Sequence, residues 1–221
     1  MVYKRKTFYS YSRLWSYIRD PQQYYRNYIL KMKDPPSAPM ILGRIFSDAY
    51  AGLTEINDKN FTFQEAIINP KRFYPDTPDD IFFKPDKVRI MKTAFEDKNL
   101  YRLPPKFCEQ SVFAESKICP LMAKHDGRIK KDDKVLIVEN KFGNPWNEER
   151  ANSEDQITFY SYVDYLLTGL IPKIRVQSVN TNTGKVLVFE VKKTKEQFTP
   201  LEEKIDFAYQ GIIAERWEKN E

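Results

Sequence analysis

The sequence predicts a single α/β domain, residues 1–221, built on a mixed central sheet of about five strands flanked by helices. Three observations predict it. Along the 221 residues the patterns run helices, three strands, a helix, two strands and a final helix, the order expected of helices packed on a mixed sheet. The run Val135-Leu136-Ile137-Val138 is apolar on both faces, as a central strand covered from both sides must be. The length suits one domain with a substantial core. Within it, residues 1–36 form a basic, aromatic N-terminal helical segment, 69–86 a proline-rich loop insertion, and 111–191 the sheet core.

The elements follow in order. Ser10 or Ser12 caps a first helix, which Pro21 interrupts or restarts. Asp34-Pro35-Pro36-Ser37 is a linker into a second helix over 38–53. Residues 69–86 contain Pro70, Pro75, Pro78 and Pro85 and read as an extended loop. A helix over 86–99 follows, and Pro104-Pro105 ends that section. Strands are expected at 111–118, 121–130, 134–141, 173–180 and 185–191, with Asn182-Thr183-Gly184 turning between the last two. A helix from 147 or 153 to 167 ends at Gly169, a C-cap residue, with Pro172 beyond. The last helix spans 199–218.

Composition narrows the chemistry. Charged residues make up 30% and mean hydropathy is -0.63, so a soluble chain is expected. No apolar run reaches the ~18 residues of a membrane span, and the basic N-terminus lacks the apolar stretch of a signal peptide. A cytoplasmic protein without a membrane partner is expected, with Cys108 and Cys119 as reduced thiols. Two cysteines and one histidine exclude a Cys/His zinc site, a disulfide framework and a four-cysteine iron–sulfur cluster. Any metal site must be built from oxygens, which suits Mg²⁺ or Mn²⁺.

Charge is uneven. The whole chain carries +5, whereas residues 1–33 hold eight cations against Asp20 alone, which leaves the remainder net negative. The same segment holds nine aromatics, among them Tyr9, Trp15, Tyr17 and Tyr24. Cations attract phosphates and aromatic faces stack unpaired bases. The ordinary alternative is a basic amphipathic helix whose aromatics enter the core. The charge asymmetry favours a polyanionic partner.

The chemistry gathers between Asp126 and Lys141. Lys131-Asp132-Asp133-Lys134 is a turn signal, and a turn centred between Asp132 and Asp133 sets Asp126 opposite Glu139. Opposed residues have Cβ atoms roughly 4.5–5.5 Å apart. Lys141, two residues on, projects from the face of Glu139. Facing carboxylates need compensation, from a divalent cation or from Lys141 in an ordinary cross-strand salt bridge. Acid and amine at the end of a buried strand are costly unless paired or functional. On the next helix Gln156 and Tyr160 share a face that Val163 and Leu167 continue. Their ordinary readings are a capping box with Ser153 and core packing. Alternation turns His125 away from Asp126, as a core or supporting residue.

This ordered set resembles the PD-(D/E)XK nuclease superfamily, its RecB-like exonuclease branch in particular. Asp126 and, after twelve intervening residues, Glu139-Asn140-Lys141 match the D…(D/E)-x-K core. Gln156-Ile157-Thr158-Phe159-Tyr160 matches the branch's Q-x-x-x-Y motif. Tyr9-Ser10-Tyr11-Ser12-Arg13-Leu14, Asp20-Pro21-Gln22-Gln23-Tyr24-Tyr25 and Gly43-Arg44-Ile45-Phe46-Ser47 are similar to its upstream motifs. The resemblance covers residues 9–165.

It implies a restriction-endonuclease-like fold and Mg²⁺- or Mn²⁺-dependent hydrolysis of phosphodiester bonds. The expected function is exonucleolytic, in recombination, repair or phage DNA processing, in a bacterial or phage-encoded protein. DNA, single- or double-stranded, would be the partner, with a helicase or recombination protein beside it. Asp126 and Glu139 would bind the metal with the Asn140 backbone carbonyl. Lys141 would orient the attacking water or stabilise transition-state charge. Gln156, Tyr160, Ser12, Arg13 and Tyr24 would contact nucleic acid. Two positions depart from the pattern. Ser47 stands where the branch has a metal-binding histidine, so Ser47, Asp48 or Glu115 become substitute ligands. Asp20 replaces a cysteine that some relatives give to an iron–sulfur cluster, so no cluster is expected. The departure at Ser47 motivates an alternative, a nuclease-fold module that binds nucleic acid with weakened catalysis. A third reading is an interaction domain with a charged hairpin and no nucleic acid.

Overall fold

The structure is a computed structural model that describes residues 7–51 and 63–217. Tyr3, Lys4, Arg5 and Lys6 of the basic segment, residues 52–53 of the expected second helix and the last residue of the expected final helix lie outside the described residues.

The N-terminal segment folds as its caps dictate. Ser10 Oγ accepts the Arg13 N–H at 3.3 Å and opens α1 (Tyr11–Arg19). Pro21 restarts the helix as α2 (Pro21–Tyr24), where Asp20 Oδ1 accepts the N–H groups of Gln22 and Gln23. The aspartate that replaces a cysteine of the resembled motif therefore serves as a helix cap. After one π-helical stretch, Tyr25–Ile29, come α3 (Ala38–Tyr50), α4 (Phe63–Ile68), α5 (Pro70–Phe73) and α6 (Pro85–Glu96). Residues 69–86 are thus not one extended loop. Pro70 and Pro85 each occupy a first helical position, where the missing N–H has no intrahelical partner to lose, and Tyr74 and Thr77 are buried between them.

Six strands form one sheet among the described residues: β1 (Tyr9–Ser10), β2 (Cys108–Glu115), β3 (Pro120–Lys131), β4 (Lys134–Gly143), β5 (Lys173–Asn180) and β6 (Val186–Lys192). The β2–β3, β3–β4 and β5–β6 pairs are antiparallel, and β4–β5 is parallel. The parallel pair needs a helical crossover, supplied by α7 (Glu148–Ser153) and α8 (Asp155–Thr168). Gly169, in the left-handed conformation at φ 73°, ends α8 as its pattern foretold. The chain closes with α9 (Phe198–Ile213). The arrangement is a restriction-endonuclease-like mixed sheet flanked by helices. The two-residue β1 carries no pattern of its own, which is why the sequence does not reveal it.

Helices cover both faces. Ile137, Val176, Phe159 and Leu201 belong to one core, under α1, α8 and α9; Val138, Val179, Phe46 and Met91 belong to another, under α3 and α6. Neighbouring positions of β4 therefore enter opposite cores, confirming its central place.

The sheet has one break in regularity. β2 occupies one edge of β3 over its whole paired length. On the other edge β4 pairs only from Gly127↔Val138 to Lys131↔Lys134, while β1 pairs at Leu121 and Met122. Between them, at Asp126, β3 and β4 part. Alternation fails at the same point: His125 and Arg128, an odd number of residues apart, both reach Asp164 on α8. On the neighbouring strand, Glu109 has φ +51° and is the residue left out of the ladder between Cys108↔Gly127 and Gln110↔His125. A left-handed residue in a strand twists it sharply.

One contact fastens α1 to the C-terminal helix. The Tyr17 ring packs against Gly211 of α9, where a Cβ would overlap the ring and its hydroxyl. That hydroxyl donates to the Arg216 carbonyl at 2.8 Å. Gly211→Ala is expected to cost about 1–3 kcal/mol through overpacking, read as a lower urea midpoint; an unchanged midpoint would show that the ring has room to move.

Candidate active site

The parting of β3 and β4 creates the site. The Asp126 carboxylate turns into the gap, and its Oδ2 accepts the Asn140 N–H at 2.7 Å. The side chain thus satisfies a β4 backbone donor that would otherwise lose its strand partner. The expected register holds as far as Gly127↔Val138; at Asp126 the side chain takes the place of the backbone ladder. A strand residue turns its N–H and C=O toward the same edge, so the Asn140 carbonyl also faces the gap.

Glu139 and Lys141 project from the α8 face of β4, as alternation requires. Lys141 Nζ donates to Glu139 Oε1 at 2.7 Å and also to Gln156 Oε1. It lies 5.1 Å from the centroid of the Trp146 ring, a favourable cation–π position. Gln156 Nε2 donates to the Tyr160 hydroxyl at 2.9 Å. The capping box does not form: Glu154 takes the N-cap position of α8, which leaves Gln156 free to reach Lys141. The inward stripe continues from Tyr160 to Asp164, not to Leu167, which is exposed.

Below this layer lies a buried ionic cluster. Asp164 Oδ1 accepts from Arg128 Nε and Nη2 at 2.8 and 2.6 Å, and its Oδ2 lies 2.7 Å from His125 Nε2. That contact lacks the alignment of a hydrogen bond. Desolvation raises the Asp164 pKa, but His125 and Arg128 outweigh it and hold the carboxyl below its ordinary value. The His125 ring meets Tyr160 edge-on at 4.9 Å. His125 is therefore the buried supporting residue expected, but it faces α8, the side from which Glu139 and Lys141 project, and not the opposite face.

Charge in the gap is undercompensated. Although Asp126 as a residue is only partly buried, its carboxyl is enclosed, and burial pushes its pKa well above the ordinary range. The neighbouring Glu139 pushes the same way; the Asn140 N–H and Lys141 oppose. Glu139 is itself buried, and its Oε2 has no hydrogen-bond partner. Two carboxylates, one only half satisfied, thus share a single ammonium.

The other expected site residues divide. Ser47 Oγ donates to Glu109 Oε1 at 3.2 Å, and Lys124 pairs with Glu109 Oε2. Asp48 accepts from the Tyr74 hydroxyl at 2.6 Å; burial raises its pKa despite that bond. Glu115 does not belong here. It pairs with Pro120, six residues along β3 from Asp126 and so roughly 20 Å away. Tyr24 is a second correction. It is fully buried against Tyr17, Tyr28 and Trp217, and its hydroxyl accepts from Arg13 Nε at 3.0 Å. No base can stack on it, and Arg13 is occupied in holding it and in covering the Tyr9 ring. Ser12 is exposed beside Ser10. Among the described residues no group of three His, Cys, Asp or Glu side chains is arranged to hold a metal.

Two residues escaped the sequence reading. Glu109 acts on both Asp126 and Asp48, but its left-handed conformation has no signature in a Cys-Glu-Gln run. Trp146, whose ring lies beside Lys141, is in a loop after Pro145, and its backbone N–H donates to Ser178 Oγ at 2.8 Å.

The Asp126 shift has a defined sign. Its folded pKa exceeds its unfolded value, near 3.9, so its contribution to stability is full below that value and is lost as pH rises through the folded pKa. In EDTA, Asp126→Asn is expected to melt above the wild-type protein at pH 7–8, and the gap should shrink as pH falls toward 4. A variant that melts lower at pH 7–8 would show that the carboxylate is well compensated in the gap.

No family model matches the sequence, and no curated protein matches it. Among solved structures, a Eubacterium rectale protein bearing the name "Putative exonuclease" is similar with a TM-score of 0.61 at 12% identity, over 93% of this chain and 80% of that one. That likeness shows a shared fold. The structure of SSO0001 (TM-score 0.34, 11% identity, 80% of this chain and 84% of that one) and that of VC1899 from Vibrio cholerae (0.25, 10%, 94% and 57%) are too dissimilar to carry an argument.

Proposed function

We propose that the chain is a divalent-metal-dependent nuclease of the PD-(D/E)XK superfamily, RecB-like branch, that hydrolyses phosphodiester bonds in DNA. The observation that carries this reading is the Asp126 carboxylate, drawn into the gap beside a buried, half-satisfied Glu139 and against Lys141. The name of the Eubacterium rectale neighbour supports exonucleolytic action; a place in recombination, repair or phage DNA processing, beside a helicase or recombination protein, rests on the sequence resemblance alone.

The donors fit Mg²⁺ or Mn²⁺. They are hard oxygens, and the unpartnered Glu139 Oε2 is the kind of orphan that a cation resolves. Asp126, Glu139 and the Asn140 carbonyl would hold the ion, and water would fill the remaining positions. A bound ion would supply Lewis acidity and lower the pKa of water at neutral pH. The chain's own residues do the rest. Lys141 would place its ammonium where charge develops on the scissile phosphate. Gln156 and the Trp146 ring fix the position of that ammonium, and Tyr160 fixes Gln156. The Asp164–Arg128–His125 cluster braces Tyr160 from below.

Ser47 favours a second reading, a binding module with weakened turnover. It stands at the histidine position of the resembled motif, and its hydroxyl is bonded to Glu109.

Digestion of single- and double-stranded DNA separates the readings. Cleavage is expected with Mg²⁺ or Mn²⁺, none in EDTA, none with Asp126→Asn, and a rate about 10²–10³-fold lower with Lys141→Ala. Cleavage that survives EDTA and Asp126→Asn would place the chemistry elsewhere. Salt-sensitive DNA binding without cleavage would favour the binding module.

A further inference from the structure

We propose that the hairpin-turn end of the sheet carries a second binding groove, outside the carboxylate gap, for single-stranded nucleic acid. The groove, about 720 Å³, opens where β3, β4, β5 and β6 reach the turn end of the β3–β4 hairpin. Its cations are Lys131, Lys134, Lys173, Arg175 and Lys192, against only Asp133 and Glu190. Two pairs are directly opposed across strands: Lys131 faces Lys134, and Lys173 faces Lys192. Like charges in that position destabilise a sheet unless something compensates them. Glu190 compensates Lys173, at 2.5 Å, and the surplus remains positive.

The spacing selects a polyanion. The four lysines stand on four successive strands, so the row crosses three strand spacings, roughly 14 Å. A single phosphate cannot span it, whereas a strand with successive phosphates can. The floor selects a nucleic acid among polyanions. Ile129 and Leu136 are only partly buried there, and the Tyr101 ring, 41% exposed, lies beneath the Arg175 guanidinium at 5.1 Å. An exposed ring beside a row of cations is a platform for an unpaired base. The ring is held in place without using its own polar atom, because the Tyr101 backbone N–H and C=O are bonded to Gln177.

The buried Tyr24 makes the N-terminal aromatics a poor stacking surface, and this groove takes over that role. It does not rest on the hydrolytic reading of Asp126, since the charge and the ring lie outside that gap.

Fluorescence anisotropy with a labelled oligothymidylate of about ten nucleotides, in EDTA to prevent turnover, tests it. The double variant Lys131→Glu/Lys192→Glu is expected to bind at least tenfold more weakly, with a salt slope shallower by about two. Tyr101→Ala, which leaves the backbone bonds intact, is expected to lose about 5- to 100-fold. The hydrolytic reading is tested separately, by cleavage with Mg²⁺, so its failure and the failure of the groove are told apart. Wild-type binding by both groove variants would overturn the proposal. So would a loss with the lysine variant alone, because the groove would then attract any polyanion. Thermal melting of each variant verifies that it is folded.

Discussion

The site depends on one hydrogen bond, from the Asn140 N–H to the Asp126 carboxylate. Where β4 leaves β3, a backbone donor loses its ladder partner inside the protein. A side-chain oxygen fills that vacancy at 2.7 Å and so locks a carboxylate between two strands. The twist that permits it is shared by both neighbours of the gap. Glu109, with φ +51°, lies opposite on β2, and His125 and Arg128 turn to one helix from an odd spacing. Strand divergence and charge placement are therefore one feature: an apolar residue at 126 would leave the Asn140 N–H without a partner and remove the charge at the same time.

The electrostatics around that bond are arranged asymmetrically. Toward the interior the Asp164 carboxylate has Arg128 on one oxygen and the His125 ring beside the other. At the gap two carboxylates face one ammonium, and burial leaves one Glu139 oxygen with nothing to accept from. A protein core rarely tolerates such a deficit without a use for it. Helix α8 ties the two layers together. Gln156, Tyr160 and Asp164 stand one turn apart and meet, in order, Lys141, the His125 ring and Arg128.

Much of this was legible in the residues. The Asp132-Asp133 turn fixed the register that the strands adopt through Gly127↔Val138, and the doubly apolar Val135-Leu136-Ile137-Val138 marked the central strand. Alternation put Lys141 with Glu139. Other features depend on tertiary context that no local pattern carries. A tyrosine serves a core or a surface equally well, and whether Tyr24 is buried is decided by Trp217, nearly 200 residues away. Glu115 and Glu109 are both acids on β2, and only the pairing with β3 tells which of them lies level with Asp126. Prolines at 70 and 85 signal a loop or a helix start with equal force until the helices pack.

The proposed hydrolysis requires that the gap between β3 and β4 be a cation site. Anomalous diffraction from Mn²⁺-soaked crystals measures this directly. The account predicts a peak between the carboxylates of Asp126 and Glu139, with the Asn140 carbonyl as a ligand and Lys141 displaced from Glu139. A gap without manganese density, in crystals where Lys141 still bridges Glu139 and Gln156, would contradict it.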